Sequence, residues 1–152
     1  MVGKKFMTYI LTYCFVFFSS SSFAIDNPDA VDYTQRYLEV VSQYESQLNA
    51  IDSTGVDVLA KYSNYMDFLD SELNNAYGLA REKIPSKEFD NLKQSQRQWI
   101  KYRDAEFEFI DVNWVQENFG TSSRLSRFHY KASVIKSRTT LSLIHISEPT
   151  RR

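Results

Sequence analysis

Hydrophobic residues recur at steps of three or four in four stretches of the chain, which predicts four amphipathic helices. The longest stretch, from Ser86 to Asn118, contains neither Gly nor Pro. Its predicted buried face consists of Phe89, Leu92, Gln96, Trp99, Arg103, Phe107, Ile110 and Trp114. Because Arg103 lies among aromatic residues on this face, its guanidinium should either reach solvent at the helix edge or pair with a carboxylate from a neighbouring helix.

The first two predicted helices, A and B, precede this stretch. Asn27 and Pro28 are favourable starting residues, so helix A is predicted from Pro28 to Asp52, either packed in the core or as a peripheral arm. Helix B should begin near 54–56 and end before Pro85, because proline disfavours helical backbone in the residue before it. The apolar seam of helix B consists of Leu59, Tyr62, Met66, Leu69, Leu73, Ala76 and Ala80.

Short connections indicate how helices B, C and D pack. The link from Ile84 to Ser86, with Ser86 as the cap of helix C, makes B and C an antiparallel hairpin. Gly120 should end helix C, and Ser122 or Ser123 should cap helix D. Helix C ends acidic and helix D begins basic, which favours antiparallel packing of these two helices. The predicted fold class is therefore all-α, an antiparallel hairpin extended to a three- or four-helix bundle.

The N-terminal segment resembles a secretory signal peptide. Lys4 and Lys5 precede an apolar run that is shorter than the ~20 residues needed to cross a bilayer. Small residues at Ser22 and Ala24 predict cleavage after Ala24 and release into the periplasm or the extracellular space, without stable membrane insertion. Lipidation at Cys14 is disfavoured, because the residues before it are not small.

The C-terminal segment 141–152 resembles the in-frame translation of a sequencing adapter. Its apolar residues follow no sustained helix or strand period, so it is expected to lie outside the fold. The predicted organisation is a signal peptide over 1–24, an N-terminal helical arm over 25–55, a helical domain over 56–140 whose C-terminus is truncated, and an extraneous tail over 141–152.

Charge and composition narrow the chemistry. Residues 25–140 contain 14 Lys and Arg against 18 Asp and Glu, a formal charge of 14 − 18 = −4. This acidic balance argues against a nucleic-acid partner and favours a cationic protein partner. The same segment has no cysteine and one histidine, His129, so neither a disulfide nor a usual metal site is expected, and no cofactor is predicted.

A set of residues in helices B to D resembles a known family pattern. The set comprises Asp70, Leu73, Asn74, Tyr77, Leu92, Gln96, Arg97, Trp99, Tyr102, Arg103, Asp104, Gly120 and Arg138. From about Ala60 to Thr140 the chain resembles the LprI-like lysozyme-inhibitor N-terminal domain family. The resemblance implies an all-helical fold, a cell-envelope location and lysozyme as a protein partner. Members usually carry two cysteines where this chain has Phe107 and Tyr130, which implies that an aromatic contact replaces a disulfide.

Three functions follow from these residues. The first is a non-enzymatic binding module that inhibits lysozyme through the loop Asn118, Phe119, Gly120, Thr121 and Ser122. The second is a structural protein. In it Asp70, Asn74, Gln96, Arg103, Asp104 and Arg138 form a buried polar network that fixes the helix register, next to core aromatic residues Tyr77, Trp99, Tyr102 and Phe107.

The third function, a glycan hydrolase, is disfavoured. It would use Asp104 with Glu108, or Asp70 with Glu72. A glycan hydrolase needs two carboxyl groups with different pKa values, and acids on an exposed helix face lack the burial that would make them differ. His129 has no nucleophile at a recognisable spacing. We therefore expect no catalytic residues.

Overall fold

The computed structural model describes residues 31–50 and 56–147. They form the helices α1 Tyr33–Asn49, α2 Val56–Lys83, α3 Ser86–Asn113, α4 Gln116–Phe119 and α5 Ser123–Ser147. These two ranges contain no β-strand, which confirms the predicted all-α class. Nor does any helix within them have the length and apolarity required to traverse a bilayer. The predicted signal peptide and its cleavage after Ala24 lie outside the described residues.

The four long helices alternate in direction. In each adjoining pair, contacts run from earlier residues of one helix to later residues of the other. Between α1 and α2, Tyr33 contacts Lys83 and Tyr44 contacts Tyr65. Between α2 and α3, Asp70 contacts Arg103 and Tyr77 contacts Phe89, and between α3 and α5, Gln96 contacts Arg138 and Asp111 contacts Lys131. The result is an up-down-up-down bundle that contains the predicted B–C hairpin.

The core lies between α2 and α5, and α1 packs against both helices. Its buried apolar residues are Tyr37, Val41 and Leu48 from α1, Val58, Tyr62, Tyr65, Leu69, Leu73 and Ala76 from α2, and Ala132, Ile135 and Leu143 from α5. In α3, all of which is described, Ile110 is the one fully buried side chain. The longest apolar pattern in the sequence therefore forms a helix at the side of the bundle rather than at its centre.

Helix α1 is shorter than predicted, since it spans Tyr33–Asn49 rather than 28–52. It begins at Tyr33 rather than Pro28, because Asp32 has an extended backbone and its side chain accepts a hydrogen bond from the Gln35 N–H at 2.8 Å. It is also part of the core and not a peripheral arm, since Tyr37 and Val41 are buried. An arm would leave both residues in water.

Helix α3 is shorter than predicted. It was expected to continue to Gly120, but Trp114 leaves the helical conformation and a separate short helix, α4, follows. The Asn118 side chain bonds to the Asn113 carbonyl at 2.9 Å and so satisfies one of the free groups at this helix end. Gly120 then turns the chain into α5 with φ 71° and ψ −169°, a conformation that favours glycine.

The start of α3 also differs from its prediction. Ser86 is the first helical residue, and the N-cap position is occupied by Pro85, which makes no side-chain capping bond. The limits of α2 agree with the predicted ones, since it starts at Val56 and ends at Lys83, two residues before Pro85.

Helix α5 extends beyond the predicted end of the domain. The expectation that 141–152 lies outside the fold is wrong for 141–147, which continue the helix. Ser142 and Leu143 are buried, and Ile146 packs against the core. These three residues continue the spacing of three and four that begins at Ile135 and Thr139, so the helical period runs on past Thr140. Residues 148–152 lie outside the described part.

Candidate functional site

Two guanidinium groups lie over the indole of Trp99. The Arg103 guanidinium carbon is 5.5 Å from the ring centroid, and that of Arg138 in α5 is 5.6 Å from it. Both distances permit cation–π attraction. Trp99 is half-buried and packs against the core, and its contact with Arg138 joins α3 to α5. We call Trp99, Arg103 and Arg138, with their polar partners, the Trp99 cluster.

Arg103 is paired with two carboxylates. Its Nε and Nη2 donate to Asp104 Oδ1 at 2.9 and 2.8 Å, and its Nη1 lies 3.7 Å from Oδ1 of Asp70 in α2. The carboxylate of the preceding helix is therefore close, but the neighbouring residue Asp104 makes the tighter contact. The Arg103 side chain is 22% exposed, whereas both aspartates are more than half exposed. This pairing lies at the surface and not in the core, contrary to the buried network that was predicted.

Arg138 is held by uncharged partners. Its Nε donates to Gln96 Oε1 at 2.8 Å and its Nη2 to Ser95 Oγ at 3.4 Å. Burial lowers the pKa of Arg138. These bonds account for Gln96, a polar residue on the predicted buried face of α3, because its amide oxygen accepts from a half-buried guanidinium.

Asn74 does not join this cluster. It is exposed, and its amide donates to the backbone carbonyl of Asp70, one turn earlier in the same helix, at 3.0 Å. Five of the six residues predicted to form one network therefore form two groups, Asp70–Arg103–Asp104 and Gln96–Arg138, which both contact Trp99. The sixth, Asn74, bonds to the Asp70 backbone and to neither guanidinium.

The predicted core aromatic residues have different environments. Tyr77 is half-buried against Phe89, with ring centroids 5.3 Å apart, and Phe107 is half-buried beneath the Lys131 ammonium group at 5.1 Å. Tyr102 is exposed, so its assignment to the core is wrong. It precedes Arg103 by one residue, which places it about 100° around the helix from the face that contacts the bundle.

The predicted partner loop is tied to the bundle at its start. Phe119 is partly exposed but stacks on Trp114 at 4.9 Å, and Asn118 bonds to the end of α3. Arg127 of α5 donates to the Trp114 carbonyl. Thr121 and Ser122 are exposed. Of the five predicted residues, Asn118 and Phe119 belong to α4, and their contacts stabilise the turn.

Phe107 and Tyr130, the two positions at which the family resemblance implied cysteines, make separate contacts. The Tyr130 ring packs against Trp114 at 5.2 Å, and its hydroxyl donates to Glu106 Oε1 at 2.8 Å. The hydrogen bond to Glu106 raises the pKa of Tyr130, and burial adds to this effect. Phe107 is covered by Lys131 instead. Tyr130 therefore still joins α5 to α3, but through Trp114 and Glu106.

A second polar cluster was missed from the sequence. Glu45 of α1 accepts hydrogen bonds on Oε1 from the Tyr65 hydroxyl of α2 at 2.9 Å and from Lys136 Nζ of α5 at 2.8 Å. It thus joins three helices. Its position four residues after Val41 places it next to the apolar face of α1, and this was the available signal. We call these three residues the Glu45 cluster.

A small cavity of about 210 Å³ lies beside the Glu45 cluster, and His129 at its edge is hydrogen-bonded to the Tyr62 hydroxyl. Residues 31–50 and 56–147 contain no group of three His, Cys, Asp or Glu side chains placed to hold a metal ion. Asp104 and Glu108, proposed as a carboxylate pair, are exposed on the same helix, and Asp104 is bound to Arg103.

The family comparison covers most of the described chain. Residues 42–140 match the family model described as lysozyme inhibitor LprI. The chain belongs to the LprI family. The match begins within α1, earlier than the expected start near Ala60, and it includes both the Trp99 cluster and the Glu45 cluster. Searches of curated proteins and of solved structures find no match. Membership makes this chain a lysozyme inhibitor-like binding module.

Proposed function

We propose that this chain is exported to the periplasm or the extracellular space, where it binds and inhibits a lysozyme by contact, without catalysis of its own. The LprI match over residues 42–140 carries the proposal. Residues 1–24, which resemble a signal peptide, are consistent with export to the compartment in which a lysozyme would act.

The charge distribution supports a cationic partner. Between Arg103 and Arg124 the chain contains no Lys or Arg. The acids of this interval are Asp104, Glu106, Glu108, Asp111 and Glu117. A segment of one sign attracts a protein of the opposite sign before contact and raises the association rate. Binding to a cationic lysozyme should therefore weaken as salt concentration rises.

A lysis assay tests this proposal. The purified mature chain is mixed with lysozyme, and the clearing of a bacterial cell-wall suspension is followed. We expect dose-dependent inhibition that weakens with added salt. An unrelated acidic protein of matched net charge is the control for non-specific adsorption. Undiminished lysis at a large molar excess of the chain would refute the proposal.

A purely structural role is a second candidate, and the Trp99 cluster favours it. The groups of this cluster bond to one another, since Arg103 binds Asp104 and Arg138 binds Gln96. They therefore account for much of the family-like motif without any ligand. Such a role is compatible with binding elsewhere on the surface, because the cluster holds α3 in place whether or not a partner is present.

Arg103→Ala is expected to lower the free energy of unfolding by about 1 kcal/mol, because its exposed partners can be rehydrated. A buried network would cost about 3 kcal/mol or more. Urea unfolding measures the change, with Arg97→Ala on the same helix as a control expected within about 0.5 kcal/mol of the parent. Lysozyme affinity should remain unchanged. Loss of affinity with unchanged stability would instead make Arg103 a contact residue.

A further inference from the structure

A row of apolar side chains lies on the outer side of α3. Tyr102, Phe109 and Val112 are 55%, 56% and 69% exposed. They lie at i, i+7 and i+10, with Ala105 at i+3, so they form one stripe along the helix. Val112 follows Arg103 by nine residues, or half a turn in orientation, and so points away from the bundle that Arg103 contacts. We call these four residues the outer stripe.

The internal packing of the described chain leaves the outer stripe uncovered. The inner side of α3 contacts α2 and α5 through Trp99, Arg103 and Ile110, and the outer stripe takes no part in those contacts. Contiguous exposed apolar residues on a small protein are typical of interaction sites. Aromatic residues are enriched at the centres of such sites, where they contribute most of the binding free energy.

Acidic side chains border the outer stripe. Glu108 lies three residues after Ala105 and four before Val112, so it adjoins the stripe on the helix surface; it is exposed and has no bonded partner within the described residues. Asp104, one turn before Glu108, is paired with Arg103 but remains more than half exposed. Two cations flank Tyr102 in sequence: Arg103 is paired with Asp104 and Asp70, and Lys101 is exposed.

We infer that the outer stripe is the docking surface for a cationic lysozyme, which rests on the proposed function above. Arg and Lys side chains of the partner would lie over the rings of Tyr102 and Phe109, with Glu108 nearby. A second copy of this chain fits less well, because dimerisation through the same stripe would bring two acidic borders together.

This surface is distinct from the turn at Asn118–Ser122. Phe119 stacks on Trp114, and Trp114 packs against Tyr130 of α5, which places this aromatic group on the inner side of α3. Phe109 and Phe119 are the same residue type and are similarly exposed, but they lie on different faces of the protein. Substituting Phe119 is therefore a matched control for substituting Phe109.

Four single variants test the inference by calorimetric titration with lysozyme. Phe109→Ser and Val112→Ser should each weaken binding, at least tenfold for Phe109→Ser, because an aromatic anchor at the centre of the interface is lost. Ile100→Ser and Phe119→Ser should stay within about twofold of the parent. Ile100 precedes Phe109 by nine residues, so its side chain lies on the opposite side of the same helix.

A fifth variant, Glu108→Gln, tests the charge component. It should weaken binding only a few-fold and reduce the dependence of affinity on salt. Circular dichroism and urea unfolding establish that each variant is folded. Since all five positions are exposed, unfolding is not expected to account for a loss of binding.

The outcomes separate the two proposals. If the parent chain binds lysozyme and the stripe variants bind equally well, the docking surface is refuted and the proposed function stands. If the parent does not bind lysozyme, the proposed function fails, and the lysozyme-docking role of the stripe is refuted with it. If light scattering shows a dimer that Phe109→Ser dissociates, without loss of lysozyme affinity, the stripe is a self-association surface and the inference is also wrong.

Discussion

Replacing Glu45 by Ala should lower the free energy of unfolding by about 2 to 3 kcal/mol, because it removes two hydrogen bonds to a charged acceptor. Glu45 Oε1 accepts from the Tyr65 hydroxyl at 2.9 Å and from Lys136 Nζ at 2.8 Å. Tyr65 is buried, so its hydroxyl would lose its partner in a place that water reaches poorly. Urea unfolding monitored by circular dichroism measures the loss.

Companion variants separate the parts of this effect. Glu45→Gln keeps an acceptor oxygen and should lose less, about 1 kcal/mol. Tyr65→Phe removes only the donor, so Glu45→Ala in the Tyr65→Phe background should cost less than it does alone, which a double-mutant cycle measures. Additive losses, with no coupling between the two residues, would mean that this hydrogen bond contributes nothing to stability.

The hydrophobic pattern predicted the faces of the helices but not how deeply each face is buried. In α2 the seam that includes Leu69 and Leu73 is buried, as its regular spacing predicted. In α3 an equally regular stripe is mostly half-exposed, because α3 is at the side of the bundle and only Ile110 reaches the interior. Periodicity identifies the side of a helix that turns inward; the neighbours available to cover it depend on the whole bundle.

The polar residues show the same limit more clearly. A cation among rings at Arg103 predicted a nearby carboxylate, and Asp70 lies 3.7 Å from it. The closer partner is the adjacent Asp104, which no spacing rule for helix pairs would select. Glu45, Tyr65 and Lys136 belong to three helices, and their meeting depends on the alignment of α1 and α5 against α2, which local sequence does not encode.

The outer stripe was not predicted, because Tyr102 was assigned to the core by residue type rather than by orientation. Tyr102 was counted as a core residue since aromatic side chains are usually buried. The spacing from Arg103 shows otherwise, and Phe109 and Val112 then continue the exposed row. Had each apolar residue of α3 been placed on a helical wheel, two apolar faces would have been visible.

Alkaline pH should unfold this protein more readily than a bundle without buried tyrosines. Burial raises the pKa of Tyr37 and that of Tyr65 well above the ordinary value of 10.0, and for Tyr65 the hydrogen bond to Glu45 adds to the effect. Above pH 10 the unfolded chain releases these protons while the native chain retains them. The native state then binds more protons, so its stability is fully present below pH 10 and falls as pH rises further.

The expected slope is about 1.4 kcal/mol per pH unit for each of the two tyrosines above pH 10. Unfolding by urea at pH 8, 10 and 11 measures it, with Tyr65→Phe and Tyr37→Phe as the comparison. Each variant should lose less stability between pH 10 and 11 than the parent does, because one titrating phenol is absent. Deprotonation of lysines affects the parent and both variants alike. This includes Lys136, because Tyr65→Phe leaves the Lys136–Glu45 pair in place. Equal slopes in all three proteins would show that neither phenol resists ionisation in the native bundle.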